Sequence, residues 1–537
     1  MRVEIPLLHT VSSRDGTENY DSHNKNGIPI VQGKMAVLKK RPALVAYQNS
    51  NFAVHAMMSD VGRTGAMYAC GYDSSSGQTL SAIYAYEQPG TNTGSRTTFT
   101  IDNTGNTFSS KDTSIRLVSD VTTTSTVASR GLVARIGNHF YYITLGNGLP
   151  SAAGAGSMAD QYSSLPTDLQ NSGRCAGIGY LDGYTFLGAS NGDIYNSDLD
   201  DPTSWSDLNC VSKEMNSDPL VYVTDLGQYI VAFGTQSIEF FYDAGNTNGS
   251  PLNPRTDLTY RIGLHQNQND YVASPIWVDP RGQYILFVGI NPEGNFGVYL
   301  LDTSLKLEKI SDEYIDAYLN RGQTAGTGAY LSFAVNGFLA YGKTIFSLKI
   351  ESTDATYTYY YDMATKSWGF LSTGVTNSGT QLAWPFEFSG ALAGHYNNAT
   401  GAKNTMSTSF VGGSDGVYRL EEFTYQDNDG SSNYTFPVVV QTGRYLGNSP
   451  QYQSSRKYQR DMAIIADRGS TTNDVTVSWT DDDYENFSTG RTLDLHNPKS
   501  QLSGLGSFYE RAWRITHEAN SDLRLLAAEA EIDTGYT

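Results

Sequence analysis

The feature that most constrains the fold is a loose recurrence of glycine-led strand pairs, about 45 to 50 residues apart, between Ala46 and Leu420. Each unit consists of an apolar strand, a turn and a second strand, as in Gly227–Gly234 followed by Ser237–Tyr242. One such pair cannot bury its apolar face alone, but several packed around an axis can. The recurrence therefore predicts a β-propeller of about six blades, and a pair of β-sandwiches is the alternative with a similar pattern.

Composition supports an all-β class. The chain has 537 residues, of which 53 are glycine and 37 are tyrosine, while hydrophobic residues make up only 39%. Frequent glycine suits short strands joined by turns, and tyrosine can pack its ring while its hydroxyl stays in water. The length exceeds what one ordinary core requires, so we expect more than one folded unit.

The last part of the chain has a different pattern from the recurrence. Four short segments with mostly alternating apolar residues follow one another, which is the period of strands with one buried face. They are Lys457–Ile464, Asp474–Asp481, Tyr509–Ile515 and Asp522–Ile532. We therefore predict three parts: an N-terminal arm and first strand (1–45), a propeller-like region (46–425) and a C-terminal β-sandwich (426–537).

These four segments, in this order, resemble the C-terminal module of the tail-hub proteins of short-tailed phages, also called packaged-DNA stabilisation proteins. Three further segments resemble the same family in the same order. They are Glu18–Asp21 followed by Leu38–Leu44, where Ala43 replaces a glycine; Tyr229–Tyr242; and Lys309–Leu319. In the last of these, Ser311 is expected to cap a short helix with Ile315 and Leu319 on one face.

The resemblance implies a structural hub or nozzle protein of a phage tail rather than an enzyme. Family members assemble as a closed ring, which implies a homo-hexamer here, and the ring closes the portal channel, retains packaged DNA and conducts it during ejection. The implied partners are a portal or head-to-tail adaptor protein, tail fibre or needle proteins, and genomic DNA in transient contact. The implied location is the virion tail, after synthesis in the host bacterial cytoplasm.

The net charge of −19 argues against a conventional nucleic-acid binder, which needs a basic face to release counterions from phosphates. An acidic tube would instead repel the phosphates and let a genome slide through without sticking. Acidity that merely keeps a tyrosine-rich particle soluble is an equally good interpretation.

Cysteine usage and hydropathy favour folding and assembly inside the cell that makes the protein. Cys70, Cys175 and Cys210 are far apart and odd in number, so they form no disulfide framework and are expected as small buried residues. The segment Met1–His9 lacks the apolar core of a signal peptide, and no apolar run is long enough to span a bilayer.

No residue pattern predicts a catalytic, cofactor or metal site. The eight histidines are scattered without metal-ligand spacing, and there is no G-x-S-x-G elbow, P-loop or dinucleotide-binding glycine motif. Two acidic clusters, Asp427–Gly430 and Asp481–Asp483, could supply oxygen ligands to calcium, but neither completes an EF-hand. Turns between strands are the favoured interpretation of both clusters.

The one candidate functional element is a polar loop that could narrow the channel and move. Its two glycines allow conformational change, although an ordinary surface connection is the favoured alternative. The loop consists of Gly245, Asn246, Thr247, Asn248, Gly249 and Ser250.

A rival function comes from a different class. Abundant Tyr and Trp could stack on sugar rings, with acidic residues binding hydroxyls or hydrolysing the glycosidic bond, as in a carbohydrate-binding or depolymerising phage tail protein. No specific carboxylate pair can be nominated for this chemistry. A secreted or surface propeller is a third alternative, which the absence of a signal peptide disfavours.

Overall fold

The structure is a computed structural model that describes most of the chain. The described residues are 2–12, 21–32, 35–48, 52–59, 67–73, 80–86, 96–101, 113–120, 129–146, 156–171, 175–266, 275–324, 332–351, 356–377, 380–392, 408–413, 416–447, 453–468 and 473–534. The predicted N-terminal element Glu18–Tyr20 lies outside them.

Five short strands lie among the residues that the structure describes in the N-terminal part. They are β1 (Arg2–Ile5), β2 (His23–Lys25), β3 (Gly27–Gln32), β4 (Met35–Lys40) and β5 (Ala43–Gln48).

The described residues of the central part contain twenty-nine strands, two helices and a 3-10 turn at Tyr162–Ser164. The strands that precede the first helix are β6 (Phe52–Ser59), β7 (Met67–Asp73), β8 (Leu80–Tyr86), β9 (Arg96–Ile101), β10 (Thr113–Asp120), β11 (Ser129–Ile136), β12 (His139–Gly146) and β13 (Gly156–Asp160). Between the helices α1 (Thr167–Asn171) and α2 (Glu313–Thr324) lie β14 (Gly179–Leu181), β15 (Tyr184–Gly188), β16 (Asp193–Asp198), β17 (Asp201–Ser212), β18 (Leu220–Leu226), β19 (Tyr229–Gly234), β20 (Ile238–Asp243), β21 (Leu252–Tyr260), β22 (Gly263–Leu264), β23 (Ile276–Val278), β24 (Tyr284–Ile290), β25 (Phe296–Asp302) and β26 (Leu307–Lys309). After α2 come β27 (Ser332–Ala340), β28 (Lys343–Glu351), β29 (Thr356–Asp362), β30 (Ser367–Asn377), β31 (Thr380–Ala383), β32 (Phe388–Leu392), β33 (Thr408–Gly413) and β34 (Gly416–Glu421).

In the C-terminal part, the ranges that the structure describes contain ten strands. They are β35 (Gln426–Asn428), β36 (Asn433–Thr435), β37 (Val438–Gln441), β38 (Lys457–Ala466), β39 (Asp474–Thr480), β40 (Arg491–Asp494), β41 (Gln501–Ser503), β42 (Ser507–Phe508), β43 (Ala512–His517) and β44 (Arg524–Thr534).

Counted as continuous hydrogen-bonded sheets, the central part has a five-blade propeller arrangement. The blades are β6–β13, β14–β17, β18–β21, β22–β26, and β32–β34 extended by β5, β35 and β36. The first blade joins two meanders through the parallel pairing of β9 with β13, and the meander β27–β30 continues through β2 into a ten-stranded sheet. The predicted all-β propeller is therefore confirmed. The number of blades differs from the predicted number of about six, because strand pairing between neighbouring meanders joins them into one sheet. The spacing of strands along the chain does not show this pairing.

The apolar cores of the propeller lie between neighbouring meanders, and one of them lies between the two meanders that form the first blade. Phe233 and Phe287, for example, come from consecutive sheets and pack edge to face at a centroid distance of 5.2 Å. The cores continue around the ring, and the last one joins Phe52 and Val54 of β6 to Phe410 of β33. Each sheet is thus held by its two neighbours, as the sequence recurrence requires.

The propeller ring is closed by a strand from the beginning of the chain. β5 pairs antiparallel with β34, so an N-terminal strand completes the last blade of the propeller. The pairing of β5 with β34 holds the two ends of the propeller together, because the propeller cannot open without breaking the hydrogen bonds between these two strands.

The C-terminal strands form a β-sandwich together with the N-terminal arm. One sheet contains β1, β3, β4, β44, β38, β41 and β42, and the facing strands are β2, β37, β43, β39 and β40. Side chains from both sheets interdigitate in one core, including Leu38, Met462, Val477 and Ile515. Division of the chain into 1–45, 46–425 and 426–537 stays a prediction, and the arm's strands are shared between the two architectures.

The junction of sandwich and propeller is the dipeptide Arg41-Pro42, between β4 of the sandwich and β5 of the propeller. Arg41 is fully buried and forms a bidentate pair with Asp427, with distances of 3.0 Å from Nη1 to Oδ1 and 2.6 Å from Nη2 to Oδ2. Its remaining N–H groups donate to Asn26 Oδ1 at 3.2 Å, to Pro42 O at 2.8 Å and to Ser372 O at 2.9 Å.

Asp427 is equally well satisfied, since it also accepts bonds from the backbone N–H of Leu44 at 2.9 Å and of Gly374 at 2.7 Å. The guanidinium lies over the ring of Phe436, with Cζ 3.6 Å from the ring centroid. A buried ion pair with this many hydrogen bonds fixes the geometry of the junction, because each alternative arrangement leaves a buried charge unpaired.

Helix α2 forms where the sequence predicts a helix, with Ile315 and Leu319 buried on one face. The cap differs from the prediction. Asp312 Oδ1 accepts the N–H of Ile315 at 2.9 Å, whereas the Ser311 hydroxyl donates to Asp316 Oδ1 at 2.6 Å. Asp312 therefore caps the helix, because it is the residue that directly precedes the first helical position.

Cys70 and Cys175 are buried, Cys210 is half-buried, and none of these three described cysteines forms a disulfide bond. Within the described ranges, no helix combines the length and the apolar character that crossing a bilayer requires.

Replacement of Arg41 by Met should lower the free energy of unfolding by about 3–5 kcal/mol, because Asp427 would remain buried without its counter-ion. Urea unfolding followed by tryptophan fluorescence measures the change. The matched control is Arg255→Met, which removes the exposed pair between Arg255 and Asp257 and should leave the unfolding midpoint almost unchanged. Equal midpoints for the Arg41 variant and the wild type would contradict the role assigned to the junction.

Candidate functional site

The polar loop 245–250 is the turn of the hairpin β20–β21. The N–H of Ala244 donates to Pro251 O at 2.9 Å, and Asn246 Nδ2 donates to Ser250 O and to Asn253 Oδ1, both at 3.1 Å. Gly245 and Gly249 have φ angles of 66° and 75°, a region that favours glycine. The loop therefore has a defined conformation, with residues 245–249 exposed.

The same loop lies on the outer side of its own blade. β20 and β21 are the third and fourth strands of a sheet whose first strand, β18, faces the centre of the propeller. Gly249 is next to the backbone carbonyl of Leu208, in the outermost strand of the neighbouring blade, and the Leu208 side chain is 82% exposed. The loop is thus accessible to another molecule, and its role as a gate stays a prediction.

The C-terminal segments that resemble tail-hub proteins meet at one buried guanidinium. Arg511 pairs with Asp481 through two bonds of 2.7 Å, and its Nη1 donates to Gln459 Oε1 at 3.0 Å and to Leu505 O at 2.8 Å. Gln459 Oε1 also accepts the indole N–H of Trp513 at 3.1 Å. Residues from three separate segments of the pattern are therefore needed together to satisfy one side chain.

The acidic cluster Asp481–Asp483 is a turn. Hydrogen bonds from Thr480 and Asn486 lower the pKa of Asp482, and Asp483 forms an ion pair with Arg444 at 3.1 Å. Asp483 itself has a φ of 65°, a left-handed conformation that Asp tolerates in turns.

The carboxylates of the second cluster, which begins at Asp427, also accept hydrogen bonds from neighbouring groups of the protein. Asp429 accepts the N–H groups of Ser431 at 2.8 Å and Ser432 at 2.7 Å, and these bonds lower its pKa. Across the part of the chain that the structure describes, no group of three or more His, Cys, Asp and Glu side chains is placed to hold a metal ion.

The structure also reveals an acidic surface that sequence reasoning missed. Along β44, Glu529, Glu531 and Asp533 alternate with buried Ala528, Ala530 and Ile532, so the carboxylates share the outer face of the sandwich. Asp461 pairs in register with Glu531, and Glu4 with Glu529. The alternation was visible in the sequence, but the neighbouring acidic residues come from distant strands.

At the centre of the propeller lies a cavity of about 330 Å³. Its walls come from residues in or beside the first strand of each meander, namely β6, β10, β14, β18, β23, β27 and β32. This convergence of first strands on one space is the expected geometry of a propeller axis.

A family model described as bacteriophage P22 Gp10, beta-propeller, matches residues 105–391, which is more than half of the chain. The chain belongs to this family. Membership in the bacteriophage P22 Gp10 β-propeller family supports a structural, stabilising role in a phage and a location in the virion. No curated protein sequence matches the chain.

Three solved structures illustrate the general likeness to other proteins. A computationally designed protein, Ika8, is 10% identical over 71% of this chain and 99% of its own, with a TM-score of 0.31. A putative 6-phosphogluconolactonase from Bacteroides uniformis is 13% identical over 61% of this chain and 85% of its own, with a TM-score of 0.33. Sqt1 from Chaetomium thermophilum is 9% identical over 71% of this chain and 97% of its own, also with a TM-score of 0.33. Scores this low carry no functional conclusion.

A buried histidine makes the sandwich sensitive to acid. His517 Nε2 donates to Asn473 Oδ1 at 2.7 Å, and the hydroxyl of Ser521 donates to the same oxygen at 2.7 Å. Burial, with a smaller contribution from Lys40, lowers the pKa of His517 to about 3. The imidazole is therefore neutral in the folded protein and becomes protonated on unfolding below about pH 6.5.

Because the unfolded chain binds the proton more tightly, the stability that His517 contributes should fall as the pH drops from about 6.5 toward 3. At pH 5 the loss from this residue should be about 2 kcal/mol relative to pH 7.5. In His517→Gln the difference between urea unfolding free energies at the two pH values should shrink by that amount. His496→Gln, at an exposed position of the sandwich, is the control, and an unchanged pH dependence in His517→Gln would contradict the prediction.

Proposed function

We propose that the protein is the hub or nozzle of a short phage tail. Copies of the chain assemble into a closed ring that seals the portal channel, retains packaged DNA and conducts it during ejection. The main support for this proposal is the match to the family model, which falls on a propeller that is firmly joined to a second β-domain. The resemblance of the C-terminal segments, which meet at Arg511, supports the same assignment.

Mechanical stiffness supports this function. A channel that holds a genome under pressure needs walls that do not open, and this propeller is closed by the ladder between β5 and β34. The buried pair between Arg41 and Asp427 connects that ladder to the sandwich. Densely packed cores between neighbouring sheets resist deformation, because their side chains have no free space into which to move.

The charge of the protein supports passage of DNA rather than its capture. The whole chain carries −19, and the outer sandwich face presents Glu4, Asp461, Glu529 and Glu531. A surface of this sign repels phosphates, so DNA would slide past it without forming the counterion-releasing contacts that hold nucleic acid in place.

The sandwich is the proposed contact surface between subunits of a hexamer. It exposes Tyr458 and Ile465 on β38 and Tyr509 beside β43, and the Tyr509 side chain is 60% exposed. Aromatic side chains are enriched at protein interfaces, where they bury area at small entropic cost. The proposed neighbours of the ring in the virion tail are the portal or an adaptor protein on one side and tail fibre or needle proteins on the other.

Electron microscopy and mass photometry of the purified protein, alone and with its portal, should show a six-fold ring with an axial pore. The double variant Tyr458→Lys and Tyr509→Lys should shift the population to monomers, because two charges would have to be buried in the contact. Leu208→Lys, on the outer edge of the propeller, is the control that should leave the ring intact. A monomer under all conditions, with or without the portal, would refute the ring.

The gate function of loop 245–250 leads to a separate expectation. Deletion of Thr247 and Asn248 shortens the loop while the pairing of β20 with β21 remains, so the protein should still fold and assemble. Phage particles that carry the deletion should release their DNA at a lower temperature, as measured with a DNA-binding dye. Glu293→Gly in the exposed hairpin turn between β24 and β25 is the control. Unchanged DNA release, or images that place the loop away from the channel, would exclude it as the gate.

A further inference from the structure

A buried lysine lies beside two carboxyl groups at the connection between the second and third blades of the propeller. Lys213 follows the last residue of β17, Asp218 lies just before β18, and Glu239 belongs to β20. The side chains of these three residues are 0%, 5% and 1% exposed, respectively. Lys213 Nζ donates to Asp218 Oδ1 and lies 3.4 Å from Glu239 Oε1. One amine and two carboxyl groups are therefore enclosed together, away from bulk water.

The backbone holds the carboxyl group of Asp218 in a way that suits acyl transfer. Its Oδ2 accepts the backbone N–H groups of Gln236 at 2.7 Å and of Ser237 at 3.2 Å. Two N–H donors directed at one oxygen can stabilise the negative charge of a tetrahedral intermediate. The other oxygen, Oδ1, accepts the amine of Lys213 and the Ser237 hydroxyl, the latter at 2.7 Å. Oδ2 is thus fixed by the backbone, and Oδ1 is the oxygen placed to leave.

The amine and the carboxyl group also pack against the backbone of β19 at a glycine. A Cβ atom at Gly234 would lie 2.1 Å from Asp218 Oδ2 and 3.0 Å from Lys213 Cε. Glycine at this position therefore lets both side chains lie directly on the strand. Two reacting groups that the fold holds in contact have already lost the entropy that slows their reaction in solution.

Glu239 is in position to transfer protons at the amine. Its Oε1 accepts the backbone N–H of Asn216 at 3.0 Å, and its Oε2 accepts that of Met215 at 3.4 Å. The loop between Lys213 and Asp218 therefore orients this carboxylate toward the Lys213 amine. A carboxylate held beside a nucleophilic amine can serve as its general base.

The resting state of the cluster is an ion pair. Burial alone would raise the pKa of Asp218, but hydrogen bonds from Lys213 and Ser237 outweigh burial and hold the pKa below its ordinary value. An amide between the two side chains would replace this buried ion pair with a neutral group. The cost of keeping two opposite charges away from water would then disappear.

We propose that Lys213 and Asp218 form an intramolecular isopeptide bond, with Glu239 as the group that transfers protons. A proton first passes from Nζ to Oδ1 along the hydrogen bond that joins them, which leaves an amine beside a carboxylic acid. Nζ then attacks Cγ, and negative charge develops on Oδ2 between the two backbone N–H groups. Glu239 accepts a second proton from Nζ and returns it to the Oδ1 hydroxyl, which leaves as one water molecule.

This bond would hold the connection between β17 and β18 at one length and would add a covalent link to the apolar packing between two blades. The site lies within one chain. It goes beyond the proposed role in the phage tail and does not depend on whether the protein forms a ring.

The test is mass spectrometry of the denatured full chain after overnight incubation of the folded protein at pH 7.5. We expect a mass lower than that of the sequence by one water molecule. Trypsin does not cleave after an acylated lysine, so residues 175–255 should appear as one peptide that is also lighter by one water. The full sequence mass, or a water loss in a different peptide, would overturn the proposal.

A cyclic imide at Asp182-Gly183 would also remove one water from this peptide. Mild alkali hydrolyses such an imide, whereas an isopeptide bond survives the treatment. The water loss should therefore persist in alkali, and fragmentation should place it between Lys213 and Asp218. Recovery of the full mass in alkali would overturn the proposal.

Two variants connect the water loss to the named groups. Lys213→Arg keeps a positive charge beside Asp218 but has no amine that can be acylated, so it should retain the full mass. Glu239→Gln keeps the size of the side chain but cannot transfer protons. Its cross-linked fraction should fall about tenfold or more, because general-base catalysis contributes at least that much. Unchanged water loss in either variant would overturn the role assigned to that residue.

The matched control is Lys349→Arg, which alters a second buried pair of lysine and carboxylate. Glu387, the partner of Lys349, accepts no hydrogen bond at Oε2 from the described residues, so it lacks the pair of backbone donors found at Asp218. This variant should lose one water like the wild type, and retention of the full mass in it would overturn the assignment to Lys213. If a variant does not fold, the peptide map of the wild type still decides the outcome.

Discussion

The structure depends on one buried ion pair, between Arg41 and Asp427. Arg41 follows the last arm strand of the sandwich, and the next strand closes the propeller, so the guanidinium lies where the two architectures meet. Its bonds to Asn26 and Ser372 add the arm and the meander β27–β30 to the same point. Because a buried charge must keep its partners, these segments cannot separate independently. The buried pair therefore reinforces the placement of propeller and sandwich, which also share the continuous sheet that runs from β27–β30 through β2 to β37.

A second constraint acts around the propeller. The cores lie between meanders, so each meander needs its neighbours to bury its apolar face, and β5 completes the circle. This architecture makes the propeller stiff. It also leaves a cavity at the propeller axis, where the first strands of the meanders meet. The stiffness suits a structural phage protein. The carboxylates beside this space also connect different meanders, since Asp225 of β18 pairs with Arg116 of β10 and Glu387, beside β32, pairs with Lys349 of β28.

Some elements of the structure could be predicted from sequence patterns, and others could not. The helix at Glu313–Thr324 and the all-β propeller were predictable, because period and glycine punctuation are local properties. The identity of its cap was not, since Ser311 and Asp312 both have the chemistry and only the backbone geometry selects between them. The cluster Asp481–Asp483 lies in a turn, as predicted, whereas Asp427 of the other cluster lies in strand β35 and is the buried partner of Arg41.

Local order along the chain was sufficient for the class of fold, the strand-rich repeat and the family resemblance, since each follows from spacing between near neighbours. The tertiary structure alone decided which strands merge into continuous sheets, which strand closes the propeller and which carboxylates share the axial cavity. Those outcomes depend on pairings between residues hundreds of positions apart, such as Asn26 with Ser372 and Arg41 with Asp427. Burial and hydrogen-bond satisfaction select such pairings only after the chain has folded, so no short stretch of sequence contains them.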